Sequence, residues 1–358
     1  MASSGASVAF GSTVPLGVGN AASLVEAVSN VNIIFHQALE EWGQKFDSLR
    51  QFYVLRYEGP RAGLQFTISE DITGSGVAHE IDENAEPWFG DISPGYSKNV
   101  EIQELSYALA LTWKFTYHNR YPQQEAKIIR GAARSVNLRM EHDMAMPLTY
   151  CTSASVTNID GRSVDVSSGD GLSPANASHT VRNSSALYRN RIVTDPQVSR
   201  GAIEMGQNLG TQQIIGNNGQ PLYVEFDTIL TASDQTTFNT ALQLMRSQAP
   251  LDAPNPSVYN PQAGTMRVVK CPYIDRTFAV GGKAFTHDST KQKYWGLIDS
   301  RNSGFYLVVT LFPTVEGPTS ANGGVDFLTR QQNWVAHGAW TTALLDPRCF
   351  VWSAVTTA

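Results

Sequence analysis

Residues 121–146 read YPQQEAKIIRGAARSVNLRMEHDMAM, and Pro147 follows them. Ile129, Ala132, Ala133, Val136, Met140 and Met144 recur at three- and four-residue steps. At roughly 100° per residue they form one apolar face of a long helix. Pro122 falls in the first turn, where a missing N–H costs nothing, and Pro147 marks the expected end. Lys127, Arg130 and Arg134 lie roughly opposite the apolar face. This basic stripe faces either water or a polyanion such as nucleic acid.

Upstream, Leu105, Tyr107, Leu109, Leu111 and Trp113 alternate strictly, the pattern of a half-buried strand. Val100 and Ile102 alternate in the other phase, so a bulge or twist is expected near Gln103. Short strands are expected at 50–59 and 64–72. Between them and the alternating run lies a polar excursion, residues 73–99, rich in Gly and Pro, with Glu80, Asp82, Glu83, Glu86 and Asp91. Two strands around so long a loop read as a projecting β-hairpin.

Still earlier, Leu24, Val28, Val31, Phe35, Ala38, Leu39, Trp42, Phe46 and Leu49 fall on one stripe about a third of a helix wide. This helix follows a Gly/Ser/Ala-rich arm, residues 1–20. Its partner surface is either its own core or a neighbouring subunit.

Downstream, residues 148–193 mix short strands with turn signals such as Asp160-Gly161. Thr194-Asp-Pro-Gln197 reads as a capping box opening a helix to about Asn208. A strand is expected at 221–226. A second helix is expected at 234–247, capped by Ser233, and an irregular loop at 248–263. Strands are expected at 264–271, 277–280, 294–299 and 304–312, and three more within 325–355. The class is α+β.

Composition narrows the function classes. The chain has 358 residues, of which 42% are hydrophobic and only 16% charged, with a net charge of −6. An acidic balance excludes a chain that binds nucleic acid by overall charge. Low charge suits large protein–protein interfaces as well as a neutral, loop-rich surface. The three cysteines, Cys151, Cys271 and Cys349, are far apart and read as free thiols. No signal peptide or membrane span is expected, so the chain is read as soluble and made in the cytoplasm.

A search for chemistry finds little. The seven histidines show no metal-ligand spacing. Glu141, His142 and Asp143 point about 100° apart on a helix and do not converge. Gly281-Gly-Lys283 lacks the rest of a phosphate-binding loop. No metal, cofactor or catalytic residue is assigned.

The succession of arm, helix, hairpin, long helix and mixed α+β body resembles the tailed-bacteriophage major capsid proteins of the Hong Kong 97-like fold. The stretches Ser178-His-Thr180, Val224 to Arg246, Asn260-Pro261 and Trp340 to Trp352 have the texture of that family. The resemblance covers the whole chain at the level of element order and rests on no short motif. It implies an N-terminal arm with its helix at 1–57 and an extended hairpin, the E-loop, at 58–116. A peripheral domain with the spine helix would take 117–194 and 326–358, and an axial domain 195–325. It further implies hexamers and pentamers closing into an icosahedral virion head around double-stranded DNA. No internal scaffold is expected, so separate scaffolding, portal and decoration proteins are the implied partners. Candidate inter-subunit contacts are Phe35, Trp42, Glu80, Asp82, Glu83, Glu86 and Trp88. Lys127, Arg130 and Arg134 are the candidate inner, DNA-facing residues. The alternatives are another virion protein, of tail or decoration type, or a soluble α+β enzyme.

Overall fold

In the computed structural model the long helix, α1, spans Pro122–Thr149, 28 residues. The structure describes residues 37, 49–58, 65–69, 95–112, 122–181, 184–217, 219–247, 260, 262–278, 285–316, 325–326 and 331–355. The expected arm, nearly all of the first helix and the hairpin's acidic loop lie outside these residues.

The chain divides into two units. One holds Met1–Gly43, Leu105–Asn137 and Pro313–His337, and the other holds Gln44–Glu104, Leu138–Phe312 and Gly338–Ala358. In the first unit α1 is amphipathic. Ala132 and Val136 are buried, while Arg130 and Arg134 are exposed. From Met140 onward, in the second unit, α1 is buried all round.

The helix runs past the expected stop. Pro147 lies inside its last turn. A proline there removes the N–H that would bond the carbonyl four residues back, that of Asp143. The Thr342 hydroxyl donates to this carbonyl instead, at 3.0 Å. The stranded acceptor is met, and the helix continues to Thr149.

Before α1 come β1 (Tyr53–Tyr57), β2 (Gln65–Ser69), β3 (Ser97–Glu101) and β4 (Gln103–Thr112). The hairpin exists, but its second leg is β3. Gln65 pairs with Glu101 and Ser69 with Ser97, antiparallel. The alternating run at 105–112 belongs to β4, which pairs with a late strand, β16 (Gln331–Leu344). The break that separates β3 from β4 falls at Ile102, one residue from the expected irregularity. Along β3 and its flanks, Tyr96, Lys98, Val100 and Ile102 are buried while Ser97, Asn99 and Glu101 are exposed. Tyr96, Val100 and Ile102 pack with Val308, Ala339, Ala343 and Leu345. The leg is docked along one pleat face.

After α1 come two small hairpins, β5 (Ser155–Thr157) with β6 (Ser163–Asp165) and β7 (His179–Val181) with β8 (Ser184–Tyr188). Helix α2 is shorter than expected, Arg200–Asn208, because its N-cap is Ser199, which accepts from Ala202 N–H at 3.2 Å. Thr194 and Asp195 have left-handed φ values of 65° and 44°. The Asp195 carboxylate is taken by Arg191 and by Ala354 N–H rather than by a helix start.

No strand forms at 221–226. Tyr223 has φ 51°, which breaks an extended run, and β9 follows at Thr228–Thr231. Helix α3 (Gln235–Arg246) is capped by Asp234, whose carboxylate accepts Thr237 N–H at 2.8 Å. Ser233, the expected cap, donates to Asp275 instead.

The remaining strands are β10 (Arg267–Lys270), β11 (Arg276–Phe278), β12 (Phe285–His287), β13 (Trp295–Ile298), β14 (Phe305–Glu316), β15 (Val325–Asp326), then β16 and β17 (Phe350–Ser353). One sheet has the order β1–β14–β16–β15, with β4 also on β16. A second has the order β10–β9–β13–β17, with β10 parallel to β9 and the other pairs antiparallel. Every residue of β9, β13 and β17 is buried. Both faces of these strands are covered, with Thr228, Thr231 and Ser353 buried among the apolar residues. Ile203, Leu209, Ile229, Leu244, Trp295, Leu297 and Val351 close the main core around them.

Candidate assembly surface

The groups with the most chemical promise are committed to packing. His142 stacks on Phe285 with ring centroids 3.4 Å apart and meets Tyr273 edge-on at 5.1 Å. Burial, with help from Arg276 and Arg139, pulls its imidazole down to about 3. It stays neutral at ordinary pH. Asp143 is bonded by Arg139 Nε at 2.9 Å and by Trp340 Nε1 at 3.0 Å. Its burial pushes the carboxyl up to about 6, against the opposing pull of Arg139 and Trp340.

Ser233, Asp275 and His287 meet in space, a grouping that sequence reading missed because they lie on separate elements. The order is wrong for acyl transfer. Ser233 donates to the Asp275 carboxylate, and His287 Nδ1 also faces that carboxylate at 2.7 Å. The hydroxyl has no imidazole to take its proton. Lys98, in the docked leg, donates to Ser167 O at 2.5 Å and pairs with Asp165 at 3.2 Å. Burial lowers its ammonium, and Asp165 partly restores it. Among the described residues no group of three or more His, Cys, Asp and Glu could hold a metal ion. None of the helices among them is long and apolar enough to cross a membrane.

The exposed features are of another kind. In the second unit β1 is a sheet edge, joined in parallel register to β14 with Tyr53 opposite Phe305 and Tyr57 opposite Val309. Four consecutive residues, Val54 to Tyr57, are exposed, Leu55 at 44% and Tyr57 at 61%. Tyr57 stacks on Phe312 at 6.0 Å, and Leu311 beside it is exposed too. Glu58 N–H bonds Val309 O at 3.0 Å. By the alternation of a parallel ladder, the main-chain groups of Leu55 and Tyr57 then face away from β14. None of the described residues pairs with them. An edge strand that no other described strand pairs, with exposed side chains that are apolar apart from Arg56, is a template for another chain.

Of the residues singled out from sequence, Arg130 and Arg134 are exposed on the first-unit half of α1, one turn apart. Lys127 lies on the same helix, and its side chain is outside the described residues. Phe35, Trp42, Glu80, Asp82, Glu83, Glu86 and Trp88 are also outside them.

No protein-family model matches the sequence, and no curated protein matches it. Solved structures are similar to it. One of Gordonia phage Cozz shares 13% identity over 87% of this chain and 86% of that chain, at a TM-score of 0.49. The asymmetric unit of the bacteriophage PhiM1 mature capsid shares 10% over 85% of both, at 0.49. A virus-like particle from Pyrococcus furiosus shares 10% over 91% of this chain and 99% of that chain, at 0.47.

Proposed function

We propose that this chain is the major coat subunit of a tailed-phage head and has no catalytic role. Copies assemble as hexamers and pentamers into an icosahedral shell around double-stranded DNA, and the chain resides in the virion. The observation that carries this reading is the β1 edge, where Val54, Leu55 and Tyr57 stand exposed beside main-chain groups that no described strand pairs. A monomer would leave this strand as an aggregation hazard, whereas a repeating assembly covers it on every copy. The element order shared with coat proteins of the Hong Kong 97-like fold supports the same reading. So does the engagement of His142, Asp143 and Asp275 in packing rather than at an open site.

In this reading 58–116 is the E-loop. Residues 117–194 and 326–358 form the peripheral domain, and 195–325 the axial domain. Phe35, Trp42, Glu80, Asp82, Glu83, Glu86 and Trp88 contact neighbouring copies. Lys127, Arg130 and Arg134 face DNA and touch phosphates without reading bases. Separate scaffolding, portal and decoration proteins complete the particle.

The test is negative-stain electron microscopy with sedimentation of the chain alone and with its scaffold, at several salt concentrations. Closed shells, tubes or rings of five or six are expected. The variant with Leu55→Lys and Tyr57→Lys should stay folded by circular dichroism yet sediment as small species, because charge on an edge strand blocks pairing. Full assembly of that variant would remove the edge from the argument. A monodisperse monomer under every condition would overturn the coat reading.

A further inference from the structure

The loop from Ser168 to Thr180, Asn190 and Pro347 meet at His179, which has no exposed surface. Its Nδ1 lies 2.8 Å from Asp170 Oδ2, and its Nε2 lies 2.9 Å from Asn190 Oδ1. A neutral imidazole has one donor nitrogen and one acceptor. What faces each nitrogen decides their roles here.

The Asn190 amide has one workable orientation. Its Nδ2 donates to the carbonyls of Pro174 at 2.8 Å and Pro347 at 2.9 Å, and its Oδ1 also accepts Asn176 N–H at 2.8 Å. Turning it over would set NH₂ against an N–H and oxygen against two carbonyls. Asn190 Oδ1 therefore accepts from Nε2. Asp170 accepts from the Ser168 hydroxyl at 2.5 Å, Leu172 N–H at 3.1 Å and Thr180 N–H at 3.2 Å. Burial raises its carboxyl, but the hydrogen bonds from His179, Ser168 and Leu172 outweigh that and hold it below the usual carboxylate range. Both ring nitrogens thus face acceptors.

We infer that His179 is a buried imidazolium whose two N–H bonds tie Asp170 to Asn190, which in turn donates to the Pro347 carbonyl ahead of β17. The ring of Tyr188 stacks on it at 5.2 Å and 24°, offering the π-face that a cation favours. The Tyr96 hydroxyl donates to Thr180 O at 2.7 Å, so the tie also reaches the start of the docked hairpin leg. The nearby Arg348 lies over the Tyr96 ring at 5.2 Å and is met by Asp346 at 2.7 Å. Asp170 is left to balance His179. Burial raises the phenols of both Tyr96 and Tyr188, so neither competes as an anion. Loss of one imidazole proton sets a lone pair against an acceptor oxygen in a closed site.

The test is ¹⁵N-histidine NMR of the full chain at pH 7, in solution or as assembled particles, with His179 assigned by the loss of its signals in His179→Gln. Both ring nitrogens should carry slowly exchanging protons, and Asp170→Asn should return the ring to one. A ring with one bare nitrogen in the unaltered chain would overturn the inference. Should His179→Gln fail to fold, the ring is assigned in the unaltered chain by nuclear Overhauser contacts to the stacked Tyr188 ring, and one bare nitrogen there overturns the inference.

Discussion

The Thr342 hydroxyl donates to the main-chain carbonyl of Asp143 at 3.0 Å, the acceptor that Pro147 deprives of its helix partner. The two residues are 199 positions apart. Replacing Thr342 by Val keeps the shape and removes the donor, leaving a buried carbonyl unmet. A loss of about 1–3 kcal/mol is expected. Thr342→Ser should stay close to the unaltered protein. Chemical denaturation of the two variants side by side checks this.

Arg139 should matter far more than its small exposed surface suggests. It is the charged partner of a carboxylate in a buried setting. Arg139→Met should cost about 3–5 kcal/mol at pH 7, because it strands the Asp143 charge. The pH dependence follows from the raised carboxyl of Asp143, at about 6 against 3.8 for a free one. Between those values the folded state holds the proton and the unfolded state has released it. Stability from this group is therefore present at low pH and falls as pH rises through about 4 to 6. Arg139→Met should recover part of its loss on acidification, and thermal melts from pH 4 to pH 7 would show it. An equal deficit at every pH would contradict the account.

Two glycines should respond in opposite senses to alanine. A Cβ on Gly296 would overlap the Trp352 ring and sit 2.5 Å from Val351 O, between the tightly packed strands β13 and β17. Gly296→Ala should destabilise by about 3 kcal/mol or prevent folding. A Cβ on Gly131, in the exposed part of α1, meets nothing within 4 Å. Gly131→Ala should stabilise by about 0.5–1 kcal/mol, since alanine has less backbone freedom to lose. Melting temperatures of the pair report both signs.

The proposed DNA contact of α1 predicts a salt signature. If Arg130 and Arg134 each meet one phosphate, changing both to Gln lowers the slope of log affinity against log salt by about 2. The effect should be equal for unrelated DNA sequences. Filter binding of capsomers over a salt series measures it. An unchanged slope would place the stripe against water.

Periodicity in the sequence determined the α+β class, α1 and its apolar face, the two later helices and most strands after residue 264. Burial of one face leaves its period in the chain, so Ala132 and Val136 were legible as core from spacing alone. Tertiary structure decided what local pattern cannot reach. Ser199 rather than Thr194 caps α2, because Asp195 is drawn off by Arg191 and Ala354. Asp234 rather than Ser233 caps α3, because the Ser233 hydroxyl is claimed by Asp275. The hairpin's second leg is β3 rather than the more regular β4, because Tyr96, Val100 and Ile102 find a core made by strands more than 200 residues later. Nothing near Val54 and Tyr57 announced an open edge, since strand order in a sheet follows from non-local pairing. The same holds for His179, which meets an aspartate and an asparagine whose amide two proline carbonyls orient. A donor and its acceptor need only meet in space, and a single-residue spacing carries no record of that meeting.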